Sequence, residues 1–480
     1  MKKVFKSVTV LFLVVCIALG AVGCGKQEKS NTVSNQTNND DFFGDTESVI
    51  SSSSKEDVSS TESKVKTEKK KAVSTKNKTG GKSFEDVLAS MPKSLKGSTV
   101  VMYNWNPASE YTGATVAIQE FENKTGIKVK WNTIDYKEYF TKLAALVASG
   151  ESPDVVRTRT PVSTNMLSFQ PLSNTGFDFS DEAWDKRVMQ DYTIGKNVYA
   201  TSLKNTHIGS VTAMFYNKAL IEQYSLDDPY KLWKSGKWTW NKFISMCKTF
   251  RNDSGNNIAA AGNGWDTYAT IYGLQGPLTY KNGKYTNTVS DAKFLKVMQE
   301  FGDLFNTERL IQRGLPEVFD RGELLFFAGG AIYGRRMNAY FASLKAAGTL
   351  YMVPMPSVDG QKTYYQGLHE YEAYAVAKGA KNAKAVPYFL RYFLDSENYD
   401  MSSFFCNNQI LEVYNWCMNQ KNTVWTNGIY ASAITGADAN DTFGKIDECK
   451  GSQVKSFIDS NKAFIDKRAI ILNDAVKKLK

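Results

Sequence analysis

Apolar positions along this chain fall into three regimes. Val8 to Leu19 is an almost unbroken apolar run, residues 25 to about 82 are overwhelmingly polar, and from about Ser98 apolar residues recur in short, punctuated groups. In the third regime Thr99-Val100-Val101-Met102-Tyr103 reads as a strand, ended by Asn104-Trp105-Asn106-Pro107. Ala117, Ile118 and Phe121 carry helical spacing up to Lys124-Thr125-Gly126, where glycine suits a left-handed C-cap. Ile127 to Trp131 alternates as a second strand. Tyr139, Leu143, Leu146 and Val147 predict a helix ending at Gly150, and Pro153-Asp154-Val155-Val156 opens a third strand. Strand, helix, strand, helix, strand with short connections implies right-handed crossovers and a mostly parallel sheet. Ligands of such sheets bind beyond the carboxyl ends of the strands, which puts Asn104–Pro107 and Arg157–Pro161 at one candidate site. Further strands are expected at Tyr199–Leu203 and Val211–Tyr216, and helices at Asn241–Phe250, Ala292–Phe305, Asn382–Phe393 and Val454–Leu479.

The first two regimes are leader and tether. Lys2, Lys3 and Lys6 precede the apolar run, which is shorter than a comfortable membrane span and ends in Ala21-Val22-Gly23-Cys24. Small residues before a cysteine resemble a bacterial lipobox, so residues 1–23 are expected to be a signal peptide, with lipid on Cys24. Two acyl chains, at about 0.8 kcal/mol per buried methylene, hold a protein firmly to a bilayer. Residues 24–82, with Ser51-Ser52-Ser53-Ser54 and Lys69-Lys70-Lys71, lack the apolar surface that would offset ordering entropy and read as a disordered tether. Such a coil spans on the order of 40–45 Å. The expected location is the outer face of a cell membrane, in a Gram-positive organism.

Charge and cysteine content remove several alternatives. Of the net +10, three charges sit in the leader and about two in the tether, leaving about five mixed with acidic groups over the body, a balance that does not call for nucleic acid. The body cysteines Cys247, Cys406, Cys417 and Cys449 form no Cys-x-x-Cys pair, and His207 and His369 are the only histidines, so no metal site and no cofactor are expected. Cys247 lies on the apolar side of Trp240, Phe243, Ile244 and Phe250 and reads as a core thiol, while spacing leaves any pairing of the other three open. A body of this length exceeds one ordinary core and predicts two domains.

Four stretches in order make the body familiar: Phe121 to Val129; Leu143 to Gly150 leading into Ser152–Val156; Met214-Phe215-Tyr216-Asn217-Lys218-Ala219-Leu220; and Gly236-Lys237-Trp238-Thr239-Trp240. Val353-Pro354-Met355-Pro356 and Ala377–Asn382 follow. Together they resemble family one of the bacterial extracellular solute-binding proteins, the maltodextrin-binding-like components of ABC importers. The resemblance implies an α/β, two-lobed periplasmic-binding-protein-like fold of type II. Each lobe would be a mostly parallel sheet flanked by helices, with strands crossing between lobes at a hinge. It divides the body into a first lobe of 95–211 plus 371–409 and a second of 212–370 plus 410–480. It also implies a monomer that closes on a solute and presents it to ABC transporter permease subunits.

Because such families serve several solutes, the cargo needs its own argument. Aromatic residues make up 13% of the chain, and flat rings match the C–H faces of sugars while polar groups take the hydroxyls. An oligosaccharide is therefore favoured over another small solute. Arg335-Arg336, the only adjacent arginine pair, keeps a phosphodiester in view. Trp105 is the leading stacking candidate, with core capping as its alternative. Asn104 and Asn106 suit hydroxyls or an Asx-type turn, and Arg157 suits a ligand contact or a surface ion pair. Trp265, Asp266 and Tyr268 resemble a second-lobe segment that supplies aromatic contacts, as do Tyr333, Arg335 and Arg336. Glu370 and Glu372 flank Tyr371 near the expected crossing, and Trp416 and Trp425 are further stacking candidates. Trp238 and Trp240 are expected to pack a helix start with Thr239 near its N-cap. A secreted glycan hydrolase using two carboxylates, or a structural adhesin, are the rival classes. No Gly-x-Ser-x-Gly elbow, P-loop or His-Glu-x-x-His motif supports an enzyme.

Overall fold

The computed structural model describes residues 80–110, 114–159, 161–204, 211–255, 258–274, 276–336, 339–368, 373–396, 405–419, 421–427 and 444–480. The leader, Cys24 and nearly all of the tether lie outside these residues, as do Glu370, Tyr371 and Glu372.

Walking along the chain, α1 (Phe84–Ala89) precedes β1 (Thr99–Asn104), α2 (Ala114–Thr125), β2 (Lys128–Thr133), α3 (Tyr139–Ser149) and β3 (Val155–Thr158). Then come α4 (Ser163–Met166), α5 (Lys186–Asp191), β4 (Ala200–Thr201) and β5 (Thr212–Asn217). The middle of the chain holds α6 (Trp240–Ser254), β6 (Ala261–Gly262), α7 (Trp265–Ala269), α8 (Ala292–Gly302), β7 (Ile311–Gln312), β8 (Phe326–Gly330) and β9 (Leu350–Pro354). It ends with β10 (Tyr365–Leu368), β11 (Ala373–Val376), α9 (Val386–Ser396), α10 (Asn408–Met418), β12 (Val424–Asn427) and α11 (Gly451–Leu479).

Two five-stranded sheets organise these elements. The first has the order β2-β1-β3-β11-β4, with β1 parallel to β2 and β3, and β11 antiparallel to β3 and β4. The second has the order β7-β6-β8-β5-β9, with β6 parallel to β7 and β8, and β5 antiparallel to β8 and β9. A two-stranded parallel ribbon, β10 with β12, belongs to neither sheet.

The predicted punctuation is visible in the backbone. Gly126 and Gly150 sit at φ of 72° and 79°, the left-handed conformation that ends α2 and α3 without a Cβ penalty. The first sheet is covered on both faces, because Val155 packs with Val100, Met102, Phe121, Phe389 and Phe393, while its neighbour Val156 faces Tyr139, Leu143 and Met166. The α6 register is also as read: Thr239 Oγ1 accepts the Lys242 N–H at 3.3 Å as N-cap, and Trp238, Trp240, Phe243 and Cys247 are buried.

The long α11 packs on α8 and on α4. Ser163 Oγ donates to the Leu472 carbonyl at 2.8 Å, and the Tyr199 hydroxyl donates to the Leu479 carbonyl at 2.6 Å. Tyr199 and Asn197 thus satisfy a carbonyl at the helix C-terminus that would otherwise lack an intrahelical partner. Among the described residues Cys247, Cys406, Cys417 and Cys449 carry free thiols, and burial pushes the Cys247 thiol well above its usual range. No described helix is long and apolar enough to cross a membrane.

Candidate functional site

The carboxyl ends of β1, β2 and β3 converge on one aromatic and polar cluster. Asp154 prepares it: its carboxylate accepts the Val101 N–H at 2.9 Å and the Asn382 N–H at 2.6 Å, fixing where β3 starts. Three residues on, β3 delivers Arg157, and Arg159, just past the end of the strand, follows at the two-residue period that returns to the same side. From β1, Asn104 turns the loop by accepting the Asn106 N–H at 3.0 Å, an Asx-type turn. Trp131 Nε1 donates to the Asn106 carbonyl at 3.0 Å and holds that loop against β2.

Within this frame the guanidinium of Arg157 lies 4.2 Å from the centre of the Trp105 ring and donates to Asn106 Oδ1 at 2.7 Å. The Trp105 ring meets Tyr136 and Tyr139 edge-on, at 5.4 and 5.2 Å. Arg159 sits 4.0 Å from the Tyr136 ring and 5.9 Å from that of Trp105. Tyr139 is fully buried, and its hydroxyl donates to the Tyr103 carbonyl at 2.8 Å. Burial holds that hydroxyl well above the usual phenol value, with Arg157 beside it pulling the other way.

The arrangement offers ring faces, an amide and two fixed cations at the place where an α/β sheet receives its ligand. Asn104 itself is fully buried, so its side chain braces the turn and leaves Asn106 as the more accessible amide. Tyr136 was not singled out from sequence, and Arg159 entered only as part of the Arg157–Pro161 stretch. Both were within reach of a sequence reading, since the loop after β2 and the i+2 position from Arg157 obey the same strand-end rule that singled out Trp105.

The remaining candidates lie on other elements, and three of them, Trp265, Tyr268 and Tyr333, are core. Tyr268 is fully buried between Trp240 and Phe243, and its hydroxyl donates to the Gly262 carbonyl at 2.7 Å, so it has no face to offer. Tyr333 is buried against Phe215, Phe327 and Phe341. Helical and strand spacing buries these rings, and an aromatic next to glycines does not reveal that from sequence. Trp265, first residue of α7, is 5% exposed and packs on Phe294. Asp266 pairs with Arg313 at 3.3 Å, and Arg313 also contacts Asp447, whose carboxylate burial raises to about 6 against the pull of Arg313. Arg335 accepts the Lys345 ammonium on its carbonyl at 2.9 Å, and the exposed Arg336 reaches the Phe405 carbonyl at 3.4 Å. Trp416 lies on α10 against Trp233 and Tyr364. Trp425, on β12, carries the Arg187 guanidinium 4.1 Å from its ring centre. Among the described residues no cluster of three or more metal-binding side chains forms. A cavity of about 410 Å³ lined by Leu167, Phe169, Tyr199, Lys378 and Leu479 lies at the end of α11, away from the Trp105 cluster.

Known structures share this fold at low identity. A galacto-N-biose/lacto-N-biose I-binding protein of an ABC transporter from Bifidobacterium longum, in complex with lacto-N-biose, aligns at a TM-score of 0.58 and 19% identity, covering 77% of this chain and 96% of that one. The cyclic α-maltosyl-1,6-maltose binding protein from Arthrobacter globiformis aligns at 0.56 and 12%, covering 79% and 99%. The GacH receptor of Streptomyces glaucescens, solved unliganded and with acarbose, aligns at 0.53 and 18%, covering 80% and 98%. These likenesses establish the two-lobed, periplasmic-binding-protein-like architecture. No curated protein sequence matches the chain. The model of one family does match, described as bacterial extracellular solute-binding protein, over residues 104–400, more than half of the chain. By that match, this chain belongs to the bacterial extracellular solute-binding protein family.

Proposed function

We propose that this protein captures an extracellular oligosaccharide between its two lobes and delivers it to the permease subunits of an ABC importer, without chemical conversion. The observation that carries the reading is the cluster at the ends of β1, β2 and β3. The rings of Trp105 and Tyr136 stand beside the Asn106 amide and the guanidinium of Arg157, the combination of flat apolar face and directed hydrogen bonding that a pyranose needs. The saccharide complexes of fold neighbours favour the same class of cargo. In this reading the lobes are 95–211 with 371–409 and 212–370 with 410–480, and closure is a hinge movement of one against the other. Lipid on Cys24 and the polar tether would keep the body on the outer face of the membrane beside its permease, raising its effective concentration there.

The test is a thermal-shift panel on the body expressed from Ser83. One oligosaccharide class should raise the melting temperature by several degrees, and chromatography should detect no hydrolysis of it. A phosphodiester is the second reading, because Arg157 and Arg159 flank the same two rings. A shift with glycerophosphodiesters and with none of the sugars would replace the first reading by the second.

A further inference from the structure

The ribbon of β10 and β12 carries two buried polar atoms that have no hydrogen-bond partner among the described residues. Gln366 and Trp425 are paired in the parallel register, so their side chains leave the same face of the ribbon. Gln366 is fully buried, and its amide nitrogen donates to the carbonyls of Thr212 and Gly367, which fixes the orientation of the amide. Its Oε1 is then buried with no hydrogen-bond partner among the described residues, and so is the Trp425 indole Nε1–H. One is an acceptor and the other a donor, on neighbouring strands. Buried groups of this kind are ordinarily matched, and leaving them unmade costs stability.

The Trp425 ring is occupied in a telling way. Arg187, on α5, lays its guanidinium 4.1 Å from the ring centre while Asp185, the N-cap of that helix, holds it through Nε at 3.2 Å and Nη2 at 2.7 Å. A flat, multiply hydrogen-bonding group over an indole face is what a pyranose would also be. The ribbon lies where the chain passes from the second sheet into β11 of the first, so movement of α5 relative to it would uncover the ring.

We infer that Trp425 and Gln366 form a second solute contact on this ribbon, a subsite in which a hydroxylated ring replaces Arg187 over the indole and one of its hydroxyls accepts from the Nε1–H and donates to the Oε1. A hydroxyl both donates and accepts, which is the complement this pair lacks. The subsite rests on the oligosaccharide reading of the Trp105 cluster.

The experiment is calorimetric titration of the body with maltotetraose, lacto-N-biose and xylotetraose, for wild type, Trp105→Ala, Trp425→Phe and Gln366→Met. Trp425→Phe keeps a ring and removes the N–H. It should weaken the bound sugar about five- to tenfold and leave the unliganded melting temperature unchanged or higher. Gln366→Met should weaken binding similarly, and the double variant by less than the product, since one hydroxyl serves both. Affinities within twofold of wild type for Trp425→Phe, with Trp105→Ala still impaired, would overturn the subsite alone and assign the two atoms to a buried water. A wild type that binds none of the three sugars would overturn the oligosaccharide reading and the subsite with it.

Discussion

Replacing Trp105 by alanine separates what the ring does for the fold from what it does for a solute. In the free protein the ring has one face under Arg157 at 4.2 Å and edge contacts to Tyr136 and Tyr139. A cation over an aromatic face contributes about 0.5–2 kcal/mol, and each edge-on pair about 0.5–1.5 kcal/mol. The variant should therefore lose about 1.5–5 kcal/mol of unfolding free energy, at or below the low end of the roughly 5–15 kcal/mol typical of a folded domain. A pyranose covering about 60 Å² of the ring, at about 25 cal/mol per Å², adds about 1.5 kcal/mol to binding, or roughly tenfold in affinity. Titration calorimetry with the sugar that stabilises wild type measures the second quantity, and denaturant unfolding the first. Trp105→Phe should retain much of both. Unchanged affinity in a folded Trp105→Ala protein would refute the placement of the site, whatever happened to stability.

Three other predictions test separate parts of the molecule. Gly302 lies where α8 meets the start of α11, and a Cβ there would stand 2.7 Å from the Cys449 carbonyl oxygen and 2.8 Å from the Gly451 nitrogen. Because both obstacles are backbone, Gly302→Ala should lower the denaturation midpoint, the overpacking cost of about 1–3 kcal/mol exceeding the helix-propensity gain of about 1 kcal/mol; an equal or raised midpoint would contradict the close contact. Burial raises the Asp447 carboxyl from its usual 3.8 to about 6, so its contribution to stability is fully present below pH 4 and is lost as pH rises through 6. Urea unfolding of wild type and Asp447→Asn at pH 4 and pH 7 should show the stability difference moving against wild type across that interval, and a flat difference would mean the carboxyl titrates normally. Cys24→Ser should leave sugar affinity intact while releasing the protein from the membrane fraction; retention of the variant by membranes would rule out lipidation as the anchor.

How far the chain could be read in advance depended on whether a signal was local. The strand ends and helix stops were legible because glycine at 126 and 150 supplies the positive φ that other residues resist, and because alternation and helical spacing survive in short windows. That Trp105, Asn106 and Arg157 come together was legible for a topological reason, since carboxyl ends of adjacent strands must meet. Tyr268 and Tyr333 were misplaced because burial is a property of the whole packing arrangement. Each lies near glycines in a segment that looks like a loop, yet Gly329 is small so that the Tyr333 ring can press against it: a Cβ there would lie 2.7 Å from that ring. The role of α11 was the least legible. Its amphipathic period predicts a buried face, but not that one helix would pack α8 along its length while Leu472 and Leu479 accept hydrogen bonds from Ser163 and Tyr199, some three hundred residues earlier in the chain.

Two tryptophans in different parts of the fold show the same arrangement, a guanidinium 4.2 Å from Trp105 and another 4.1 Å from Trp425. Each arginine is held from the side by an oxygen acceptor, Asn106 for Arg157 and Asp185 for Arg187. An indole face kept partly desolvated by a planar cation is already shaped for a flat, polar-edged ring, and exchange of one for the other exposes little new apolar surface to water. The exchange also sets an energetic limit, because the incoming ring must better a contact of about 0.5–2 kcal/mol at each position. Selectivity would then come from the hydrogen bonds at the ring edge, where the Asn106 amide and the unmatched Gln366 and Trp425 atoms stand, and less from the aromatic faces. Sugars that differ only in the orientation of one hydroxyl would be told apart at those edges, whereas loss of either ring would weaken all of them together.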